Sequence, residues 1–308
     1  MNILNQIGRT WLAFASLCAL SFLAALPAAA QQEKPKDVVP KVVVAKEERY
    51  TLRYKPQLGT TLYDAETIVT HTLENGDKFP IISRAQLVWK NIAVDLQKSI
   101  WTFDRYYARL STTDRDTTIK EIGSINKVSR LTFSMDGQEI HHQVIDTAIL
   151  SEDAQFLAYF FRAPRMILPL PLAMVTYGAN WVDDRLDTVT VPGGTFRYST
   201  HYAYEFDGVR DTLGGVAAII TCVETGIFTG IQKRIGEQQL LFHGPITGRD
   251  TMYLNLLTGR IVRRDSYINI PVHVEPEHGP SSSDILDVHS SYVLNRSNIR
   301  STGVQRDD

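Results

Sequence analysis

The chain has 308 residues, 44% of them hydrophobic, with 32 Lys and Arg against 34 Asp and Glu, a formal charge of −2. A near-neutral balance gives no electrostatic case for nucleic acid or an anionic membrane surface, and the length supports a core that needs no staples. Two cysteines, Cys18 and Cys222, are too few for a disulfide framework.

Residues 1–30 read as an export signal. Arg9 is the sole charge before an uncharged run over 11–26, and Pro27-Ala28-Ala29-Ala30 supplies a small-residue cleavage site. The run falls short of the ~20 apolar residues that cross a bilayer. Leu17 precedes Cys18 where a lipid-anchor signal needs a small residue. Cleavage after Ala30 leaves 31 Lys and Arg against 34 acidic residues and one cysteine, so the expectation is an exported protein, soluble in the periplasm or outer envelope. Residues 31–48, with Lys34-Pro35-Lys36 and Val39-Pro40-Lys41, read as an extended linker.

A first β-rich half is expected over 49–145. Tyr50, Leu52 and Tyr54 alternate with Arg49, Thr51 and Arg53, the period of a half-buried strand. A second strand is expected over 61–73, and Asn75-Gly76 then predicts a two-residue type I′ hairpin turn. Strands over 81–94 and 100–110 each carry a tryptophan, Trp89 and Trp101. Asp136-Gly137 predicts another hairpin, with Phe133 opposite Ile140.

Residues 146–181 form the predicted connector. Ser151 can cap a helix whose first turn holds Glu152 and Asp153, and Phe156, Leu157, Phe160 and Phe161 share one apolar face before Pro164 ends it. Leu168-Pro169-Leu170-Pro171 and Gly178-Ala179-Asn180-Trp181 follow. A second β-rich half is expected over 182–274, with strands at 181–191, 195–206, 216–225, 238–243, 251–257 and 260–270 and turns at Asp207-Gly208 and Thr258-Gly259. Residues 275–308 read as a spacer, a last strand over 284–294 and a tail. The predicted fold class is mainly β with a central helix (α+β), built from long curved antiparallel sheets. Setting Gly137 on Gly259 aligns 131–145 with 253–267, so an internal duplication of the two halves stands as one reading.

The order of signal segment, β-rich half, helix, Leu168-Pro169-Leu170-Pro171, Gly178-x-x-Trp181 and second β-rich half resembles a group of uncharacterised bacterial secreted proteins. More loosely it is similar to periplasmic lipoprotein carriers, a resemblance that implies a curved antiparallel sheet wrapped round an apolar pocket and transfers no catalytic residue.

Candidate chemistry is sparse. His141 and His142 are adjacent on a strand and so point to opposite faces, and His273 and His278 beside Glu275 and Glu277 have no recognised metal-ligand spacing. Asp183, Asp184 and Asp187 lack the spacing of a calcium loop. There is no Gly-x-Ser-x-Gly elbow, and Gly193-Gly194 and Gly214-Gly215 read as turns or bulges. No catalytic residue, metal or cofactor is predicted. Cys222 reads as a small buried hydrophobe.

The aromatic supply remains. Tyr198, Tyr202 and Tyr204 share one side of a strand, and with Phe156, Phe160, Leu168, Leu170 and Trp181 they are the candidate lining of an apolar pocket. The predicted role is non-enzymatic: an envelope protein that holds a lipid or lipidated chain between sheet and helix. A structural or protein-interaction module with an envelope partner is the alternative, and a hydrolase without a recognisable motif the third.

Overall fold

The computed structural model describes residues 48–114, 117–146, 166–191, 194–212, 215–233 and 238–295. Twelve strands form one antiparallel sheet: β1 (Gly59–Thr72), β2 (Lys78–Asp95), β3 (Ile100–Asp114), β4 (Thr117–Lys120), β5 (Ser129–Ser134), β6 (Glu139–Val144), β7 (Asn180–Val191), β8 (Gly194–Thr212), β9 (Gly215–Gln232), β10 (Leu240–Asn255), β11 (Ile261–Pro276) and β12 (Ser282–Leu294). Their order is β6-β5-β3-β2-β1-β12-β11-β10-β9-β8-β7, with β4 beside β3. The pairing of β1 with β12 makes the two expected halves one body.

The fold class is therefore corrected from α+β to a single β-sheet, because no α-helix occurs among the described residues. The helix expected over 151–161, with Phe156 and Phe160, lies outside them. The sheet gives no support to a duplication: hairpin β5–β6 sits at its edge, whereas β10–β11 sits inside it.

Strict alternation builds the strands. Along β10, Leu240, Phe242, Ile246, Met252 and Leu254 are buried, while Leu241, His243, Thr247 and Arg249 are exposed. Alternation carries through where shorter strands were expected: 238–243 and 251–257 are one strand, and Asp207-Gly208 is a bulge inside β8. The Asn75-Gly76 turn is corrected too. Gly76 has φ +88° but Asn75 keeps negative φ, and Leu73 O accepts from Gly76 N while Leu73 N donates to Asp77 O, so the loop is three residues long with glycine at its left-handed position. Asp136-Gly137 closes in the same way, and a register shift puts Glu139, not Ile140, opposite Phe133.

The sheet curls around two short segments. The run 50–54, expected as a strand, pairs only through the bridge Tyr50–Val175; Leu52 and Tyr54 are buried, as are Met166, Ile167, Leu168 and Leu170. Together they plug one end of the sheet's concave face. Tyr54 N donates to Met135 O and Leu170 N to Asp136 O, which ties the plug to β5–β6. Gly178 N donates to Phe206 O, Phe206 N to Ala179 O and Trp181 Nε1 to Pro169 O, which ties it to β7 and β8. One apolar cluster around the plug thus unites Trp101, Phe103 and Phe133 from one end of the sheet order with Tyr204, Phe206 and Ile220 from the other.

A second cluster, with Val69, Phe196, Phe228, Phe242, Ile270 and Val288, fills the opposite ends of β1 and β8–β12. Here bending depends on Gly230: a Cβ on it would stand 2.2 Å from the Phe196 ring, so the ring lies directly on the strand backbone. The convex face mixes polar and apolar side chains, with Val182, Leu186, Val223, Ile227 and Ile231 exposed on it. Arg84, Arg109, Arg197, His201, Arg249, His243 and His273 all lie exposed within strands.

Candidate ligand-binding lumen

Between the two apolar clusters the concave face carries charge. The residues alternate in phase with the apolar ones on each strand, so register alone brings them level. Asp183 stands opposite Tyr202, Tyr202 opposite Glu224, Tyr204 opposite Cys222, Cys222 opposite Asp250, and Arg264 opposite Tyr292. Arg105 and Tyr107 face inward from β3, beyond Leu87 and Trp89 of β2.

Arg264 is 4% exposed and forms an ion pair with Asp250, its Nε 2.8 Å from Oδ2 and its Nη2 on the same oxygen. Arg185 pairs with Asp183 and lies over the Tyr202 ring, 5.5 Å from its centroid. Tyr202 donates to Glu224 Oε1 at 3.1 Å. Burial raises the Glu224 carboxyl above the usual carboxylate range against the lowering effect of that bond and the nearby arginines. Burial also pushes the Cys222 thiol up and lifts the hydroxyls of Tyr54, Tyr202 and Tyr204, and it takes Tyr292 to about 12.

Arg105, Tyr202 and Glu224 are enclosed by protein, yet each keeps partial solvent contact. Their side chains face the concave side of the curl, in phase with the buried residues of their strands. Guanidinium and phenol groups can donate hydrogen bonds into it, and burial holds the Cys222 thiol toward its protonated form.

The sequence-predicted lining divides. Tyr198, Tyr202 and Tyr204 do share the concave face of β8, but Tyr198 stacks on Phe228 of the second cluster, while Tyr204 stacks between Trp181 and Tyr202 of the first. Leu168 and Leu170 belong to the plug. Sequence reading singled out Asp183 only as part of an acidic run and missed Arg185, Glu224, Asp250, Arg264 and Arg105. Their signal was positional: Asp183 and Arg185, Glu224, Asp250 and Arg264 each fall in phase with the apolar residues of their strands.

The other candidates lie elsewhere. Asp184 and His201 pair on the convex face, as do His243 and Glu275. No group of three metal-ligating side chains occurs among the described residues.

No protein-family model matches the chain, and no curated protein matches it, so the resemblance to lipoprotein carriers finds no sequence support. Among solved structures the chain is similar to a mutant of the Rh. blastica porin (11% identity, 77% of this chain and 100% of that one, TM-score 0.24). It is also similar to an exported protein of YmcC-like fold from Bacteroides fragilis (11%, 80% and 98%, TM-score 0.21) and to a BenF-like porin from Pseudomonas fluorescens (6%, 79% and 100%, TM-score 0.20). Such low scores carry no argument about fold, place or role.

Proposed function

We propose that this is an exported envelope protein that holds an amphipathic ligand, such as a lipid or lipidated chain, inside its curled sheet. The export signal supports the compartment, and the polarity of the two faces supports the setting. A membrane barrel shows apolar side chains outward and polar ones inward. Here Phe, Trp, Leu and Ile build two clusters on the concave face, while arginines and histidines interrupt the apolar side chains of the convex one, which suits a sheet in water with an apolar interior. The observation that carries the reading is the belt of partly buried Arg105, Tyr202 and Glu224 between two apolar clusters: polar groups set between apolar ones match a molecule with a head and a tail.

Native mass spectrometry of the protein purified from its own envelope should show a co-purifying lipid, and a neutral fluorescent probe such as N-phenylnaphthylamine should bind the delipidated chain. Absence of both ends the proposal.

A second reading, an envelope interaction module, draws on the convex surface of β7–β10, where Val182, Leu186, Val223, Ile227 and Ile231 are exposed. Ile227→Lys separates the two: it should abolish partner binding on that surface and leave probe binding in the lumen unchanged.

A further inference from the structure

We propose that the lumen selects an anionic head group, a carboxylate or phosphate monoester carried on an apolar chain, and that Arg105 is the residue that meets it. This rests on the lumen reading above. The three inward arginines are not alike. Arg264 is neutralised by Asp250 and Arg185 by Asp183. Arg105 has no carboxylate within ion-pair reach among the described residues. Its Nη2 donates to Tyr107 Oη at a long 3.3 Å, its guanidinium lies 5.9 Å from that ring's centroid, and Glu139, on the exposed edge strand, acts on it only through space.

A partly buried arginine without an ion pair has given up some hydration that a bound anion would make good. Around it stand other unused donors. The Tyr292 hydroxyl feels both Arg105 and Arg264 and has no hydrogen-bond partner among the described residues. Arg264 Nη1, fully buried, also finds no acceptor there. An anion would supply the charge that Arg105 lacks, and its oxygens can take hydrogen bonds from Arg105, Tyr107 and Tyr292. Phe103 and Trp101, inward on the same strand as Arg105, belong to the adjoining apolar cluster.

The test is a calorimetric titration of the delipidated exported chain with four probes sharing one tail: oleate, oleoyl lysophosphatidate, oleyl alcohol and oleyltrimethylammonium. The two anions should bind at least about tenfold tighter than the alcohol, the worth of one charge-assisted hydrogen bond, with the cation weakest. Whichever anion binds tighter identifies the source of the head group, and either supports the proposal. Arg105→Met should erase the anion advantage while leaving the alcohol's affinity unchanged, and Arg105→Lys should keep part of it. If the alcohol binds as tightly as oleate, or Arg105→Met leaves oleate binding intact, the head-group assignment falls and the lumen reading stands. If none of the four binds, both fall. Should Arg105→Met fail to fold, loss of the advantage in wild-type protein at high salt supplies the same decision, since only the anions lose affinity to screening.

Discussion

Removing one oxygen from Tyr54 should loosen the plug without changing its shape. Tyr54 Oη donates to Leu168 O at 3.0 Å and accepts from Leu168 N at 3.0 Å, so a single hydroxyl satisfies both backbone groups of a residue that is 3% exposed. Tyr54→Phe keeps the ring against Trp101 and orphans the N–H and the C=O together. Each buried group left unpaired costs about 1–3 kcal/mol, so the pair should cost about 2–6 kcal/mol. With a urea slope of about 2–3 kcal/mol per molar, the midpoint should fall by roughly 1–2 M at unchanged slope. Tyr50→Phe is the control, since its hydroxyl meets only exposed Glu48 while its ring keeps Phe206, and it should stay within about 0.5 kcal/mol. Urea melts followed by tryptophan fluorescence read both. If Tyr54→Phe melts with Tyr50→Phe, the plug is not held through Leu168 and the account of how the curl is fastened is wrong.

The ion pair of Arg264 and Asp250 should be worth less than its removal suggests: Asp250→Leu alone should cost about 3–5 kcal/mol by stranding a buried guanidinium, whereas Asp250→Leu with Arg264→Met should return to near wild-type stability. A double-mutant cycle in urea checks this, and a double variant as damaged as the single would contradict it. Glu224 has a folded pKa above its unfolded one, so its contribution is fully present below the unfolded carboxylate value and is lost as pH rises through the raised folded value. Glu224→Gln should therefore match wild type near pH 4 and exceed it above the folded pKa, as thermal melts across that range will show; a variant less stable at high pH reverses the sign.

Much of this sheet was legible because its strands alternate without interruption. Leu240, Phe242 and Ile246 against Leu241, His243 and Thr247 spell one face and the other, and register then follows from short turns. What misled was punctuation. Asp207-Gly208 has the composition of a turn, yet long-range pairing to Ile219 absorbs it as a bulge, because neighbours on both sides repay a local kink with ladder hydrogen bonds. Tyr50, Leu52 and Tyr54 alternate like a strand, but alternation reports two unlike sides and not a partner strand; their partners are Val175, Leu168 and Met135, distant in sequence. The belt was illegible for a similar reason. Arg264 and Asp250 look like solvated strand residues until parity is counted along β10 and β11 from Met252 and Ile270.

That parity also bears on why the belt exists. A sheet this large could fill its concave face with aliphatic side chains, as it does at Phe196, Phe242 and Val288, and gain burial at each position. Placing arginines and acids in phase with them instead costs desolvation at every site, and paired charges in a core contribute little net stability. Departures from the locally favourable choice concentrate where a protein meets something other than itself. Among the described residues the inward Arg105, Arg185 and Arg264 stand between two apolar clusters, and Arg105, the one of the three without a carboxylate in ion-pair reach, is also one that solvent can still touch. Stability alone would remove that residue; a ligand that supplies the missing charge would keep it.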